Sequence, residues 1–171
     1  MEQGSANYRI GLVIMEAQPF HKGHLKIMTD ALMDCNEIIV SFTNYDTNYF
    51  DFKFNQKVAK DTFLANPRIA YFGIKNDPNI NTPKQIIEKT IEELEKANYY
   101  MPTHFFTHYE DWIEPAKECH LNTKHISPLI LHKSNEIKSS VFEKTDFWKE
   151  KVPYNVLEEI ETYIATKERN F

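Results

Sequence analysis

The chain has 171 residues, of which 42% are hydrophobic and 26% charged, and its formal net charge is −5. This length and composition predict a single globular domain over residues 1–171, with a loose polar tail at residues 1–7. The acidic balance argues against nucleic acid as a partner, and two cysteines are too few for a disulfide framework. No segment approaches the ~18 apolar residues of a membrane helix, and the chain opens without a basic, apolar leader, so we expect a cytoplasmic protein with no membrane partner.

Buried strands and amphipathic helices alternate along the chain. A nearly continuous apolar run at residues 9–15 predicts a first strand, and apolar positions at helical spacing predict a helix at 23–35. Further strands are predicted at residues 37–43, 68–74, 103–108 and 125–131. Further helices are predicted at residues 55–64, 82–98, 112–119, 134–142 and 152–167, with Asn55 and Thr82 as N-caps. This order predicts a Rossmann-like three-layer α/β fold with a parallel sheet of about five strands, plus a C-terminal helix.

The loop after the first strand carries the chemically suggestive residues, QPFHKGH at 18–24. Ligands of such sheets bind beyond the carboxyl ends of the strands. Here His21 and His24 can donate hydrogen bonds to phosphate oxygens, Lys22 adds charge, and a helix start offers unpaired backbone N–H groups. Phosphoryl and nucleotidyl transfer need mainly positioning and charge stabilisation, which such a loop provides.

Two other interpretations of this loop stay open. The two histidines are alternatively unrelated surface or capping residues, because an HxxH pattern alone is common. A zinc site is disfavoured, since no third or fourth ligand lies nearby in the sequence. The sequence therefore predicts no protein-held metal.

The stretch GLVIMEAQPFHKGHLKIM, residues 11–28, resembles the opening of the HxGH nucleotidylyltransferase superfamily. Within it, QPFHKGH is most similar to nicotinamide-nucleotide adenylyltransferases of the archaeal and bacterial type. A second landmark of these enzymes, a loop of the form I-S-x-T-x-I-R, corresponds to residues 133–138. Trp148, Val152 and Pro153 match the family's tendency to end with Trp, then Val-Pro, then a closing helix.

The resemblance implies adenylyl transfer from ATP to nicotinamide mononucleotide, giving NAD and pyrophosphate. His21 and His24 would bind the triphosphate and stabilise the transition state, Lys138 would hold the β- and γ-phosphates, and Mg²⁺ would accompany the ATP. The implied partners are small-molecule nucleotides, and relatives often form homo-oligomers. The implied nucleotide-binding positions are Glu16, Ala17, Gln18, Phe20, Lys22, Gly23, Lys133, Ser134 and Asn135.

Three positions depart from the family pattern. Glu16 stands where relatives carry an Arg that contacts phosphate, and its carboxylate repels phosphate unless it points away or helps to hold a metal. Lys138 replaces an Arg and loses its bidentate fork, and Asn135 stands where a hydroxyl is expected. The alternatives are therefore a nucleotidylyltransferase with another phosphate acceptor or CTP, or a diverged nucleotide-binding protein with little catalysis.

Aromatic residues near two further strand ends have two interpretations each. His108 ends the fourth predicted strand and Trp112 follows it; both are predicted to bind substrate by stacking on a base or nicotinamide ring, or else to complete the core. Residues 44–54 correspond to a mobile substrate loop in relatives, or else pack their aromatic side chains on the body of the protein.

Overall fold

The computed structural model describes residues 8–128 and 134–169. The strands in these ranges are β1 Ile10–Met15, β2 Glu37–Thr43, β3 Ile69–Ile74, β4 His104–Thr107 and β5 Asn122–His125. The α-helices are α1 Lys22–Asp34, α2 Phe52–Thr62, α3 Pro83–Lys96, α4 Ile113–Glu118, α5 Ser134–Phe142 and α6 Leu157–Arg169.

All five strands pair in parallel, in the order β3-β2-β1-β4-β5. The inner strands β1 and β2 are apolar over nearly their whole length because helices cover both of their faces. Val13 and Phe106 face a core shared with α1, α2, α5 and α6. Leu12 and Phe105 face a second core shared with α3 and α4. The predicted three-layer Rossmann-like fold is therefore confirmed.

The strand order places a crevice beside the central strand. The chain runs from β1 outward through β2 to β3, and then returns to place β4 on the other side of β1. The carboxyl ends of β1 and β4 thus flank the topological switch point, where ligands of open α/β sheets bind. Residues 18–24 span the end of the loop after β1 and the first turn of α1, and the loop after β4 begins at His108.

Three predicted elements differ in position. The final helix begins at Leu157 and not at residue 152, because Tyr154–Val156 form a separate 3-10 turn before it. The fifth strand is the polar segment Asn122–His125, whereas the apolar run chosen from the sequence, 125–131, only begins there and continues outside the described residues. An edge strand pairs on one side only and needs no continuous apolar run. Helix α2 begins three residues early, because the Asp51 carboxylate accepts from the Phe54 N–H at 2.9 Å, and Asn55 is a buried helix residue instead of a cap.

The start of α3 confirms its prediction. The Thr82 hydroxyl accepts from the Gln85 N–H at 3.2 Å, while the Gln85 side chain accepts from the Thr82 N–H at 3.1 Å, and Pro83 opens the first turn. Within the described residues, none of the helices has the length and apolar character needed to cross a membrane.

Candidate active site

Two histidines cap the first turn of α1 reciprocally. His21 is the N-cap, with extended backbone angles, and its Nδ1 accepts from the Gly23 N–H at 3.0 Å. The Nδ1 of His24 accepts in turn from the His21 N–H at 3.1 Å. The two rings stack with their centroids 3.8 Å apart. Each imidazole is therefore oriented by the backbone that it caps.

This arrangement fixes the position of the proton on each ring. Because both Nδ1 atoms accept hydrogen bonds, a neutral imidazole at either position carries its proton on Nε2. The Nε2 of His21 lies 2.8 Å from the Ser134 hydroxyl oxygen. The Nε2 of His24 has no hydrogen-bond partner among residues 8–128 and 134–169. His24 therefore offers an oriented N–H donor to a ligand.

Burial keeps the His24 ring neutral. Desolvation in the interior lowers the pKa of His24 well below its usual range, and the nearby imidazoles of His21 and His108 lower it further. A neutral ring with its proton on Nε2 is thus the form present at neutral pH. Such a ring donates a hydrogen bond without gaining or losing charge.

The lowered pKa of His24 predicts that acid destabilises the fold. The unfolded chain takes up a proton at this histidine below about pH 6.5, whereas the folded chain resists it, so the free energy of unfolding falls as the pH falls. We expect a contribution of at most about 1.4 kcal/mol for each pH unit. Urea unfolding at pH 7.5 and 5.5 measures it, and His24→Asn should show a smaller loss than the natural protein. An identical loss in both proteins would contradict this prediction.

The backbone N–H groups at the start of α1 are less open than the sequence suggests. The Lys22 N–H donates to the Lys151 carbonyl at 2.7 Å, and the Gly23 N–H is used by His21. The Lys22 ammonium donates to the Glu150 carbonyl at 2.9 Å. The carbonyls of Glu150 and Lys151, between α5 and α6, thus occupy the two donors of Lys22, and the Nε2–H of His24 is the donor oriented for a ligand.

Gln18 fastens the loop after β1 to the loop before α2. Its amide nitrogen donates to the carbonyls of Ala17 at 2.8 Å and Phe50 at 2.9 Å, and its amide oxygen accepts from the Phe50 N–H at 3.0 Å. The side chains of Ala17 and Phe20 are buried in the core that contains α1. The structure therefore gives Gln18 and Phe20 supporting contacts, and their predicted contact with a nucleotide stays a prediction.

The second predicted motif meets the first at His21. Ser134 begins α5 and contacts His21, and Lys138 lies one helical turn later on the same side of the helix. In the part of the chain that is described, the Lys138 ammonium has no hydrogen bond or ion pair. Asn135 is exposed, and Lys133 lies outside the described residues. A serine hydroxyl and an uncommitted cation thus accompany the histidine pair.

His108 and Trp112, predicted together, lie in different environments. The ring of His108 bridges two carbonyl oxygens, with Nδ1 2.8 Å from that of Ile126 and Nε2 3.2 Å from that of Gly23. The Trp112 ring stacks on Phe105, centroid to centroid 6.1 Å, within the core that contains α3 and α4. His108 therefore adjoins the histidine pair, and Trp112 has the packing expected of a core residue.

Glu16 lies at the carboxyl end of the central strand. It is exposed, directly follows β1, and accepts from the Asn44 side-chain amide at 3.1 Å. It forms no ion pair within the described ranges. The same ranges contain no group of three or more His, Cys, Asp or Glu side chains arranged to hold a metal ion.

Two contacts from the C-terminal helix were absent from the sequence-based site. Tyr163 and Lys167 of α6 both donate to the carbonyl of Tyr49, in the loop before α2. The partners are 114 and 118 residues apart along the chain, so no local pattern indicates the pairing. Of the two interpretations of residues 44–54, the structure shows packing against the body of the protein.

The described residues form a Rossmann-like α/β architecture with a histidine pair at its switch point. No known family model matches the sequence, and no curated protein matches it. Solved structures do match in fold. A bifunctional NMN adenylyltransferase/ADP ribose pyrophosphatase from Francisella tularensis, complexed with AMP and a manganese ion, superposes with a TM-score of 0.66 at 15% identity over 95% of this chain and 53% of that one.

A second structure of a bifunctional enzyme of that description from Francisella tularensis gives a TM-score of 0.64 at 16% identity, over 89% of this chain and 49% of that one. The NadR protein in complex with NAD and AMP-PNP gives a TM-score of 0.56 at 14% identity, over 80% of this chain and 42% of that one. The chain thus spans about half the length of the structures it resembles. The likeness to nicotinamide-nucleotide adenylyltransferases, first indicated by QPFHKGH, is confirmed for the fold.

Proposed function

We propose that the chain is a nucleotidylyltransferase that moves the adenylyl group of ATP onto nicotinamide mononucleotide, forming NAD and pyrophosphate. The observation that carries this proposal is the oriented Nε2–H of His24, held at the switch point by the reciprocal cap with His21. The fold shared with NMN adenylyltransferases supports the same reaction class. A neutral donor at this place suits a phosphorus centre whose oxygens gain charge during transfer.

The reaction requires the residues to position groups and stabilise charge. A phosphate oxygen of the acceptor forms a bond to the α-phosphorus, and the bond to the pyrophosphate oxygen breaks with its electron pair leaving on pyrophosphate. His24 donates its Nε2–H to an oxygen of the transferring group. Ser134 accepts from the His21 Nε2–H and retains its own O–H for a phosphate oxygen. These donors are preorganised by the capped turn, which lowers the reorganisation needed in the transition state.

Positive charge for the triphosphate comes from Lys138 and from the metal that ATP brings. Lys138 lies one turn beyond Ser134 and holds the β- and γ-phosphates as a point charge. Mg²⁺ arrives as part of the substrate, bound to phosphate oxygens. A manganese ion accompanies AMP in one structure of similar fold, which supports a divalent cation here.

The proposal is tested by pyrophosphate release in a panel of substrates. ATP and CTP are each combined with Mg²⁺ and with nicotinamide mononucleotide or other phosphate-bearing acceptors. Turnover with ATP and nicotinamide mononucleotide is expected. Turnover only with CTP, or only with another acceptor, would support nucleotidylyl transfer but would show that the proposed substrates are wrong. Nucleotide binding without pyrophosphate release across the panel would favour a non-catalytic nucleotide-binding protein.

Replacing Glu16 tests how its charge affects triphosphate binding. Glu16→Gln keeps an oxygen for the Asn44 amide and removes the charge, and we expect it to lower the KM for ATP about threefold by relieving repulsion. Glu16→Arg should lower it about tenfold, and both effects should shrink at high salt. Steady-state kinetics at two salt concentrations measures this. Loss of activity in both variants would instead assign Glu16 a role of its own.

A further inference from the structure

The backbone at residues 49–51 is held by side chains from distant elements. The Tyr163 hydroxyl donates to the Tyr49 carbonyl at 3.0 Å, and the Lys167 ammonium donates to the same oxygen at 2.5 Å. The Asp51 N–H donates back to the Tyr163 hydroxyl oxygen at 3.4 Å. Two donors and one acceptor from α6 therefore fix the backbone on either side of Phe50.

Ring packing reinforces these hydrogen bonds. The Tyr163 ring stacks on Phe54 with centroids 3.9 Å apart and on Phe50 at 5.4 Å. The Lys167 ammonium lies 4.7 Å from the centre of the Tyr49 ring, within range of a cation–π interaction. These contacts hold the loop in one place relative to α6.

The opposite side of the same loop contacts the loop after β1, which leads to His21. Both the N–H and the carbonyl of Phe50 bond to the amide of Gln18. Gln18 precedes the N-cap residue His21 by three positions, in the loop that leads directly into the histidine pair. A continuous series of hydrogen bonds thus joins α6, residues 49–51 and the segment that orients His21 and His24.

We propose that Tyr163 and Lys167 are positioning residues, which hold Phe50 against Gln18 and so fix the orientation of the histidine pair. The proposal rests on the function proposed above. If residues 49–51 shift, Gln18 loses both of its bonds to Phe50, and the loop ahead of His21 gains freedom. Catalytic donors tolerate displacements of only a fraction of an ångström, so a distant contact of this kind affects turnover.

The test uses two side-chain changes with matched controls. Tyr163→Phe removes the hydroxyl and keeps the ring, and Lys167→Met removes the ammonium and keeps most of the stem; the double variant combines them. Tyr100→Phe, at an exposed tyrosine, and Lys96→Met, at an exposed lysine on α3, make the same chemical changes elsewhere. Amide hydrogen exchange at Phe50 and His21 is measured together with kcat and the KM for ATP.

In the double variant we expect exchange about 25-fold faster at the amides of both Phe50 and His21, because each of the two lost hydrogen bonds weakens the held state about fivefold. We expect kcat to fall about tenfold with the KM for ATP within about twofold, since orientation acts on the transition state. The controls should change none of these. If the double variant does not fold, Tyr163→Phe alone carries the test, with effects of about fivefold.

Faster exchange at Phe50 with unchanged exchange at His21 and unchanged kcat would overturn the proposal, because the contacts would then serve only the fold. The exchange measurement needs no substrate. If the protein shows no turnover with any pair of substrates, the proposed function is refuted. Hydrogen exchange at Phe50 and His21 still decides whether α6 is coupled to His21.

Discussion

Replacing His24 by asparagine is expected to lower kcat about 100- to 1,000-fold, equivalent to about 2.7–4 kcal/mol, because one preorganised donor to the transition state is removed. The asparagine side-chain oxygen can take the place of His24 Nδ1 and accept from the His21 N–H, so the cap survives. The change therefore removes the Nε2–H and the ring that stacks on His21, and it keeps the cap. Steady-state kinetics at pH 7.5, together with thermal unfolding, measures both consequences.

His24→Gln is the matched variant, because its amide reaches toward the position of Nε2 and leaves the Nδ1 position without an acceptor. We expect it to keep more activity than His24→Asn and to lose more stability, since the His21 N–H then lacks its bond. Full activity of His24→Asn with the true substrates would contradict the assignment of this loop as the catalytic centre. His24→Ala is a poorer test, because it both empties a buried, stacked position and removes the cap.

Lys138→Met is expected to raise the KM for ATP about 10- to 100-fold, because a charged hydrogen bond to the triphosphate, typically worth about 1.5–3 kcal/mol, is lost. The effect on kcat should be smaller if the ammonium holds the β- and γ-phosphates equally before and during transfer. Lys138→Arg should bind ATP at least as tightly as lysine does, since arginine adds a bidentate fork. ATP titration by calorimetry and kinetics measures the three proteins.

Lys144→Met serves as the control for Lys138, because Lys144 is an exposed lysine that is paired with Glu168 at 3.7 Å. Surface pairs of this kind contribute little, so no change in ATP binding is expected. Equal ATP affinity in Lys138→Met and the natural protein would remove Lys138 from the triphosphate site.

The sequence predicts an element well where its own residues carry a clear local pattern, as in strands that are buried on both faces. The apolar runs of β1 and β2 and the capped start of α3 follow from local patterns, and the structure confirms them. The prediction for β5 is wrong because an edge strand with polar residues has no such pattern, and the sequence favours the neighbouring apolar run instead. Similarly, Asp51 and Asn55 are both good caps by residue type, and in the structure Asp51 caps α2 while Asn55 is buried inside it.

The candidate site was predictable in its centre and not in its surroundings. The pattern at 18–24 placed both histidines at a helix start, and the structure confirms that position. It did not show that each ring caps the other's backbone, or that residues 150 and 151 occupy the donors of Lys22. These contacts join segments up to 129 residues apart, counted from 22 to 151, and depend on the complete fold.

Labelled phosphorus shows directly whether the site at the start of α1 transfers the α-phosphorus of ATP. ATP labelled at either the α- or the γ-phosphorus is incubated with Mg²⁺, nicotinamide mononucleotide and the protein, with His24→Asn in parallel. We expect the α-label to appear in NAD and the γ-label in pyrophosphate, both at a rate at least about 100-fold lower in the variant. Transfer of the γ-label to the acceptor, or ATP that is bound and returned with both labels in place, would contradict it.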